Sequence, residues 1–455
     1  MTVGWLEAEG DLAALGAAMH ALVVRLYPIC RSITGPGVRE TLRLVREMVP
    51  LELHEVASGT EVFDWAVPRE WSIRDAWVKD PHGRKVIDFR RSNLHVVSYS
   101  RPVRARMSLT ELRPHLSSLP DRPRWIPYRT TYYAENWGFC LSHEVLERFE
   151  EGEYEVCIDA SLDDGSLTYG ELLVPGASDD EVLISCHVCH PSLCNDNLSG
   201  IAVATYLARL LSSRPRRYSY RFLFVPGTIG SITWLCRNES RVDRIRHGLV
   251  LTCIGDPGGF TYKRSRRGDA VIDRAAAHVL RHQDRPVELR DFSPYGYDER
   301  QYCSPGFDLP VGCLMRSPHG EFPQYHTSAD DPDFVRAEAL AQSLAVCASV
   351  AAVLEGDGAY VNTSPKGEPR LGKRGIYRAV GGGLDSRSAE MALLWVLNLS
   401  DGRHSLLDVA ERSALPFESV RRAADTLLQH GLLRESAPAS SRPQHHGREG
   451  GRDAV

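Results

Sequence analysis

The chain does not open on a basic segment followed by an apolar core and a small-residue cleavage site, so no export signal is expected. The apolar stretch from Leu15 to Val24 is broken by His20 and preceded by Glu7, Glu9 and Asp11, the pattern of an amphipathic helix. Nor does any window read as the roughly 18–20 apolar residues that span a bilayer. Charge of one sign is scarce too. The formal net charge of −5 supplies no field that would draw the whole molecule to nucleic acid or anionic lipid. The 11 cysteines are odd in number, scattered and without paired zinc-finger spacing, so free thiols in a reducing cytoplasm are expected. Internal repeats are absent. What is there is ordinary for a globular protein: 43% hydrophobic and 25% charged residues over 455 positions, enough for two or three domains.

Residues 12–49 read as helices, with Val38, Leu42, Val45 and Met48 at helical spacing and Pro50 as a stop. From about 60 to 135 short alternating runs such as Lys85–Phe89 and Asn93–Ser98 are separated by Pro, Gly and Asp, a β-rich pattern. Pro120–Tyr133, rich in Pro, Trp, Tyr and Arg, reads as an ordered loop. A hairpin is expected from Tyr154–Ile158 through Asp163–Gly165 to Leu167–Val174. Strands at Glu181–Ser185, Tyr218–Val225, Leu249–Ile254 and Pro310–Met315 then alternate with helices at Leu198–Leu211, Ala270–His282 and Arg336–Leu354. That alternation predicts an α/β domain with a mostly parallel sheet covered on both faces, with ligand chemistry beyond the carboxyl ends of its strands. Ala389–Leu399, Ser405–Leu415 and Pro416–Gln429 follow as three helices, and Leu432-Leu433 could open a wing strand, the order of a winged helix. Residues 436–455 are almost without apolar side chains and predict a disordered tail.

Three short segments could carry chemistry. The run Glu181-Val-Leu-Ile-Ser-Cys-His-Val-Cys-His190 delivers His187 and His190 to the end of a strand, and a polar loop then holds Asp196. Imidazole with carboxylate suits a catalytic zinc, although Asn195-Asp-Asn197 reads equally as a helix cap. Asp256, in Leu251-Thr-Cys-Ile-Gly-Asp-Pro-Gly258, sits just past a strand, where a turn-forming Asp before Pro is the plainer reading. His326 opens His326-Thr-Ser-Ala-Asp-Asp331, a loop before a helix. Each is weak singly, but convergence from separate strand ends is what a metal site requires.

These segments, His187, Asn195-Asp-Asn-Leu-Ser-Gly200, Asp256 and His326-Thr-Ser-Ala-Asp-Asp331, resemble the metal motifs of the bacterial zinc aminopeptidase family that also includes glutaminyl cyclases. The resemblance implies one or two Zn²⁺ ions, with His187 as the ligand after the first motif strand, Asp196 as the bridge, Asp256 completing one metal and His326 the other. From about Tyr27 to Leu433 the chain is more closely similar to an aminopeptidase-like bacterial family with an inserted small β domain and a C-terminal winged helix. Cys30-Arg-Ser-Ile-Thr-Gly35, Val62-Phe-Asp-Trp65, Glu135-Asn-Trp-Gly-Phe139, His187-Val-Cys-His-Pro191 and Pro226-Gly-Thr-Ile-Gly-Ser231 carry that likeness. It implies a zinc-aminopeptidase-like domain from 1–60 and 136–370, an insertion at 61–135 and a winged helix at 375–435.

The chain departs from the family at two places. Where a Glu-Glu pair is expected it reads Val225-Pro-Gly-Thr-Ile-Gly-Ser231, so the Glu that usually follows the Pro is Gly227. The Asp usual two residues after the first His is Cys189, with His190 beside it. His190 can replace the lost ligand, and Cys189 alone of the nearby cysteines could reach a metal. A general base can come from Asp298 or Glu299, or from Glu321 near His326. The expected function is a zinc-dependent hydrolase of a peptide or amide bond. A metal-dependent tailoring enzyme for amide formation or cyclisation, or a non-catalytic winged-helix regulator, are the alternatives. The third helix of the winged module offsets Arg421 and Arg422 with Glu418 and Asp425, so packing or oligomerisation is expected of it rather than DNA binding.

Overall fold

The fold was determined as a computed structural model that describes residues 11–376 and 384–436. The tail expected at 436–455 lies, beyond Ser436, outside the described residues. The chain divides after Glu355 into two compact units.

The first unit is built on an eight-stranded sheet. Its strands are β1 (Glu52–Ala57), β2 (Ser166–Val174), β3 (Glu181–His187), β4 (Ser219–Val225), β5 (Ile245–Leu251), β6 (Phe260–Lys263), β7 (Val287–Arg290) and β8 (Val311–Met315). They lie in the order β1-β2-β4-β3-β5-β8-β6-β7. The four central strands, β4, β3, β5 and β8, run parallel, and antiparallel pairing is confined to β1-β2, β2-β4 and β8-β6. β3 and β4 are buried at every position, which is what near-continuous apolar runs become when helices cover both faces. Because the central strands are parallel, their carboxyl ends share one rim. His187, Gly227, Thr252 and His319 therefore emerge on or just after strand ends at the same edge.

The flanking helices include Leu12–Leu26, Ser199–Ser212, Val271–Arg281 and Ala337–Gly356. Asp11 caps the first, its side chain accepting the Ala13 N–H. Ala337–Gly356 corrects the expectation about apolar windows, since it is long and apolar enough to cross a membrane by length and composition. Its apolarity comes from its place in the core, where Leu340, Leu344, Val346, Val350, Val353 and Leu354 are all buried.

A second sheet packs Lys85–Asp88, Glu70–Lys79, Glu153–Asp163 and Val103–Ser108 in that order. The hairpin expected over 154–174 is not formed. Glu153–Asp163 pairs with Glu70–Lys79 and Val103–Ser108 in this small sheet, whereas β2 joins the large one. Alternating periodicity sets the faces of each strand but not its partners. Asn93–Ser98 is likewise no strand: Ser92 caps a short 3₁₀ turn over Asn93–His95. In the second unit, Asp401–Ser405, Ala359–Asn362 and Leu433–Glu435 form a three-stranded sheet with helices Leu384–Leu399, Leu406–Ser413 and Phe417–Gln429. All 11 cysteines are free thiols, and all but Cys30 and Cys236 are buried.

Candidate metal centre

β3 ends on His187, and an irregular turn over Cys194–Leu198 leads into helix Ser199–Ser212. Backbone anchors hold this turn on both sides. Asp330 accepts the N–H groups of Asn195 (2.6 Å) and Asp196 (3.0 Å), and Asn195 Oδ1 accepts the Gly255 N–H (2.8 Å). Asn197 donates to the Leu251 carbonyl (3.0 Å) and accepts the Gly200 N–H (3.2 Å). With the backbone fixed, the Asp196 carboxylate is free to face the imidazoles. Arg31, within the Cys30–Gly35 string, donates to the His190 carbonyl (2.8 Å) and to that of Leu26 (2.8 Å), tying the N-terminal helices to the site loop.

Three imidazoles meet that carboxylate. His187 Nε2 lies 2.8 Å from Asp196 Oδ1, and His326 Nε2 and His190 Nε2 lie 3.0 and 3.8 Å from Oδ2. Ligand atoms bound tetrahedrally at about 2.0–2.2 Å stand roughly 3.3–3.6 Å apart, and these separations to the two carboxylate oxygens lie around that range, with His187, His190 and Asp196 close enough together to share one ion. His187 and Asp196 are fully buried, while His326 keeps 30% of its side chain exposed and marks the open side. Burial pushes the His190 imidazole well below its ordinary pKa despite the nearby carboxylate, leaving a neutral ring able to ligate. Burial alone would raise Asp196. His190, His187 and His326 outweigh it and hold the carboxyl well below the usual range. Imidazole nitrogens from His187 and His190 with the Asp196 carboxylate are a fitting zinc donor set.

The loop carrying His326 is strapped to the segment over Pro120–Tyr133. The Tyr128 N–H donates to the His326 carbonyl (2.8 Å), and the Ser328 N–H donates to that of Ile126 (2.8 Å). The Tyr128 ring packs against His190 and His326 at 5.1 and 5.0 Å between centroids, and its hydroxyl meets that of Tyr132 at 2.5 Å. His326 takes a left-handed backbone (φ 54°), a conformation that a non-glycine residue keeps only when its surroundings fix it.

The structure does not bring Asp256 to this cluster. Its Oδ1 accepts the Gly258 N–H and Ser317 Oγ (both 2.7 Å), and its Oδ2 accepts Asn195 Nδ2 (2.9 Å) and the Ser317 N–H (3.1 Å). It braces the Asn195 loop from behind. Glu321 is turned away as well, its two oxygens 2.5 and 2.7 Å from Arg290 at the surface. Glu299 is fully buried in an ion pair with Lys263 and accepts the Tyr297 N–H at 3.1–3.2 Å. Asp298 is buried, accepts Ser231 Oγ at 2.8 Å and leaves Oδ2 without a partner. Burial raises its carboxyl to about 8.

Two residues that pattern reading passed over stand at the centre. His319, in the loop after β8, groups with Asp196 and Cys253, and its Nε2 lies 3.1 Å from Thr252 Oγ1. It was findable, since it follows a central strand at the rim as His187 does. The Tyr297 ring packs tilted against His187 at 3.9 Å between centroids, and its hydroxyl is 3.3 Å from Cys189 Sγ. Cys189 Sγ in turn lies 3.2 Å from His190 Nδ1. A Cβ added at Gly227 would overlap the Tyr297 ring and sit 2.5 Å from its hydroxyl oxygen.

Residues 20–357 match the family described as a domain of unknown function (DUF4910), and residues 358–435 match a winged helix-turn-helix family. A Clostridium acetobutylicum protein is 52% identical over 419 residues, which cover 92% of this chain and 96% of the relative. Its name assigns it provisionally to polysaccharide biosynthesis and gives it an aminopeptidase-like domain. A crystal structure from Clostridium acetobutylicum, provisionally described as a peptidase, superposes with a TM-score of 0.89 at 49% identity, covering 93% of this chain and 97% of that one. A zinc aminopeptidase from Bacillus subtilis shares the fold, with a TM-score of 0.54 at 13% identity over 74% of this chain and 94% of its own.

Proposed function

The chain belongs to the DUF4910 family, joined to a winged helix-turn-helix module, and from that footing we propose a zinc-dependent hydrolase of a peptide or amide bond. The observation that carries the reading is the cluster itself: one ionised carboxylate, Asp196, faced by His187, His190 and His326 at the carboxyl rim of a parallel sheet. Zinc bound there supplies a Lewis acid for the carbonyl and a water of lowered pKa. The aminopeptidase-like domain named for the 52% identical relative supports the same class of reaction.

The chain's own residues divide the remaining work. Asp330, Asn195 and Asp256 fix the Asp196 loop, and outer partners of this kind set ligand orientation. His319 takes the base role first assigned to Asp298, Glu299 and Glu321. Burial lowers its pKa, so its ring is neutral at neutral pH, and it lies in one group with Asp196. It accepts a proton from the attacking water at a ring nitrogen and returns it to the departing amine. Tyr132 and the exposed Tyr133, whose ring meets Trp65 at 5.2 Å, line the approach from the inserted segment and suit a substrate with an apolar or ring-bearing group.

The missing carboxylate at Gly227 favours a second reading, a metal-dependent tailoring reaction such as amide formation or cyclisation. A regulator role has less support, because Arg421 donates to Tyr360 (2.7 Å) and pairs with Asp425 within the winged module, so it is not free to track phosphates. The test is zinc content after dialysis, together with turnover of a panel of aminoacyl and acylated amides. The hydrolase reading expects bound zinc and release of free amine, both lost in Asp196→Ala. Bound zinc with cyclised or condensed products selects the tailoring reading, and a zinc-free protein removes both.

A further inference from the structure

Gly227, Cys189 and Tyr297 have one explanation in common. The resemblance expects carboxylates after Pro226 and at position 189, and without them the usual base is missing and the second metal has lost a ligand. In the structure that volume is taken. The Tyr297 phenol fills the space that a Gly227 side chain would need, and its hydroxyl reaches Cys189 Sγ at 3.3 Å. Two neutral groups therefore meet where two negative ones are expected. The phenol is held from behind, since the Tyr297 N–H is bonded by both oxygens of the buried Glu299, itself paired with Lys263.

Charge points the same way. Among the described residues, Asp196 is the only carboxylate in either group of side chains able to hold a metal, His187-His190-Asp196 and Asp196-Cys253-His319. A second dication in this buried pocket would meet imidazoles and the Cys253 thiol but no carboxylate of its own, with the buried Arg31 guanidinium bonded to the His190 carbonyl nearby. An uncompensated charge is strongly disfavoured in such surroundings. The Asp196-Cys253-His319 group shares that carboxylate, so an ion placed there would bring no second carboxylate with it.

We propose that Tyr297, seated in the space left by Gly227, restricts this centre to a single divalent cation, held by Asp196 with His187 and His190. The inference rests on the zinc-centre reading above and adds what limits its capacity. Tyr297 is thus a positioning residue whose side chain closes the second metal position.

Two measurements test it. The full-length protein is stripped with chelator, reloaded with excess zinc, desalted and assayed for metal per chain by mass spectrometry. One zinc per chain, lost in Asp196→Ala, is expected. Two per chain, both lost in that variant, would overturn the inference while leaving the zinc centre standing; none would remove the zinc centre and the inference together. The second measurement reads the steric claim without metal loading. Gly227→Ala should melt several degrees below the parent, and adding Tyr297→Ala should restore part of the loss, because the overlap is then gone. A Gly227→Ala protein that melts like the parent overturns the proposal. If Gly227→Ala does not fold, a folded double variant supports the proposal and an equally insoluble one refutes it.

Discussion

Asp298→Asn should make the protein more stable at neutral pH, and the gain should grow with pH. Asp298 is fully buried, with one oxygen bonded to Ser231 and the other without a partner, and burial raises its carboxyl to about 8. In the unfolded chain the same group titrates near 3.9. The folded state therefore binds more protons between about pH 4 and pH 8, and stability falls as pH rises through that window. The slope is about −1.4 kcal/mol per pH unit, so by pH 7 the order of magnitude of the loss is about 4 kcal/mol relative to pH 4. Asparagine keeps the Oδ1 acceptor for Ser231 and carries no charge to bury, so the variant lacks this penalty. Urea unfolding of parent and variant at pH 4, 5, 6, 7 and 8 gives a difference curve that isolates this one group from every other titration. The curve should start near zero, climb to pH 8 and flatten above it. Parallel profiles, or a parent more stable than the variant at pH 8, would refute the reasoning and show Asp298 working as a carboxylate.

Lys263→Met should leave Glu299 buried without its ion-pair partner and cost about 3–5 kcal/mol in denaturant unfolding, because both groups are nearly inaccessible. Glu321→Gln should shift stability by no more than about 1 kcal/mol and leave turnover of the best amide substrate unchanged, since its pair with Arg290 is exposed and lies outside the cluster. Asp256→Ala removes the brace behind Asn195 rather than a ligand. Zinc affinity measured by competition with a chelating dye should fall about 10–100-fold, with the number of ions per chain unchanged.

Much of this architecture was legible because the chemistry is written on strand ends. The runs at β3, β4 and β8 are apolar and bounded by polar loops, so their existence and direction follow from periodicity, and parallel pairing then puts His187 and Asp196 at the rim. Partner choice was not legible. Glu153–Asp163 and β2 follow each other closely in sequence, yet their alternation says nothing about which sheet each will join. Asp256 shows how local chemistry overrides a motif. The turn reading held, since its Oδ1 accepts the N–H two residues on at Gly258, the bond that makes Asp a turn former. The loss at Gly227 was visible as a letter, but what fills the gap comes from seventy positions further along, and only the folded backbone brings Tyr297 there.

The strap between Tyr128 and His326 ties the Pro120–Tyr133 segment to the Asp196 cluster. Two backbone bonds couple a surface loop carrying Tyr132 and Tyr133 to the only cluster imidazole with an open flank. A molecule pressing on that loop from outside would tug on His326 through main chain alone, with no intervening side chain to absorb the motion. Occupancy of that loop and geometry at the cluster are mechanically one variable.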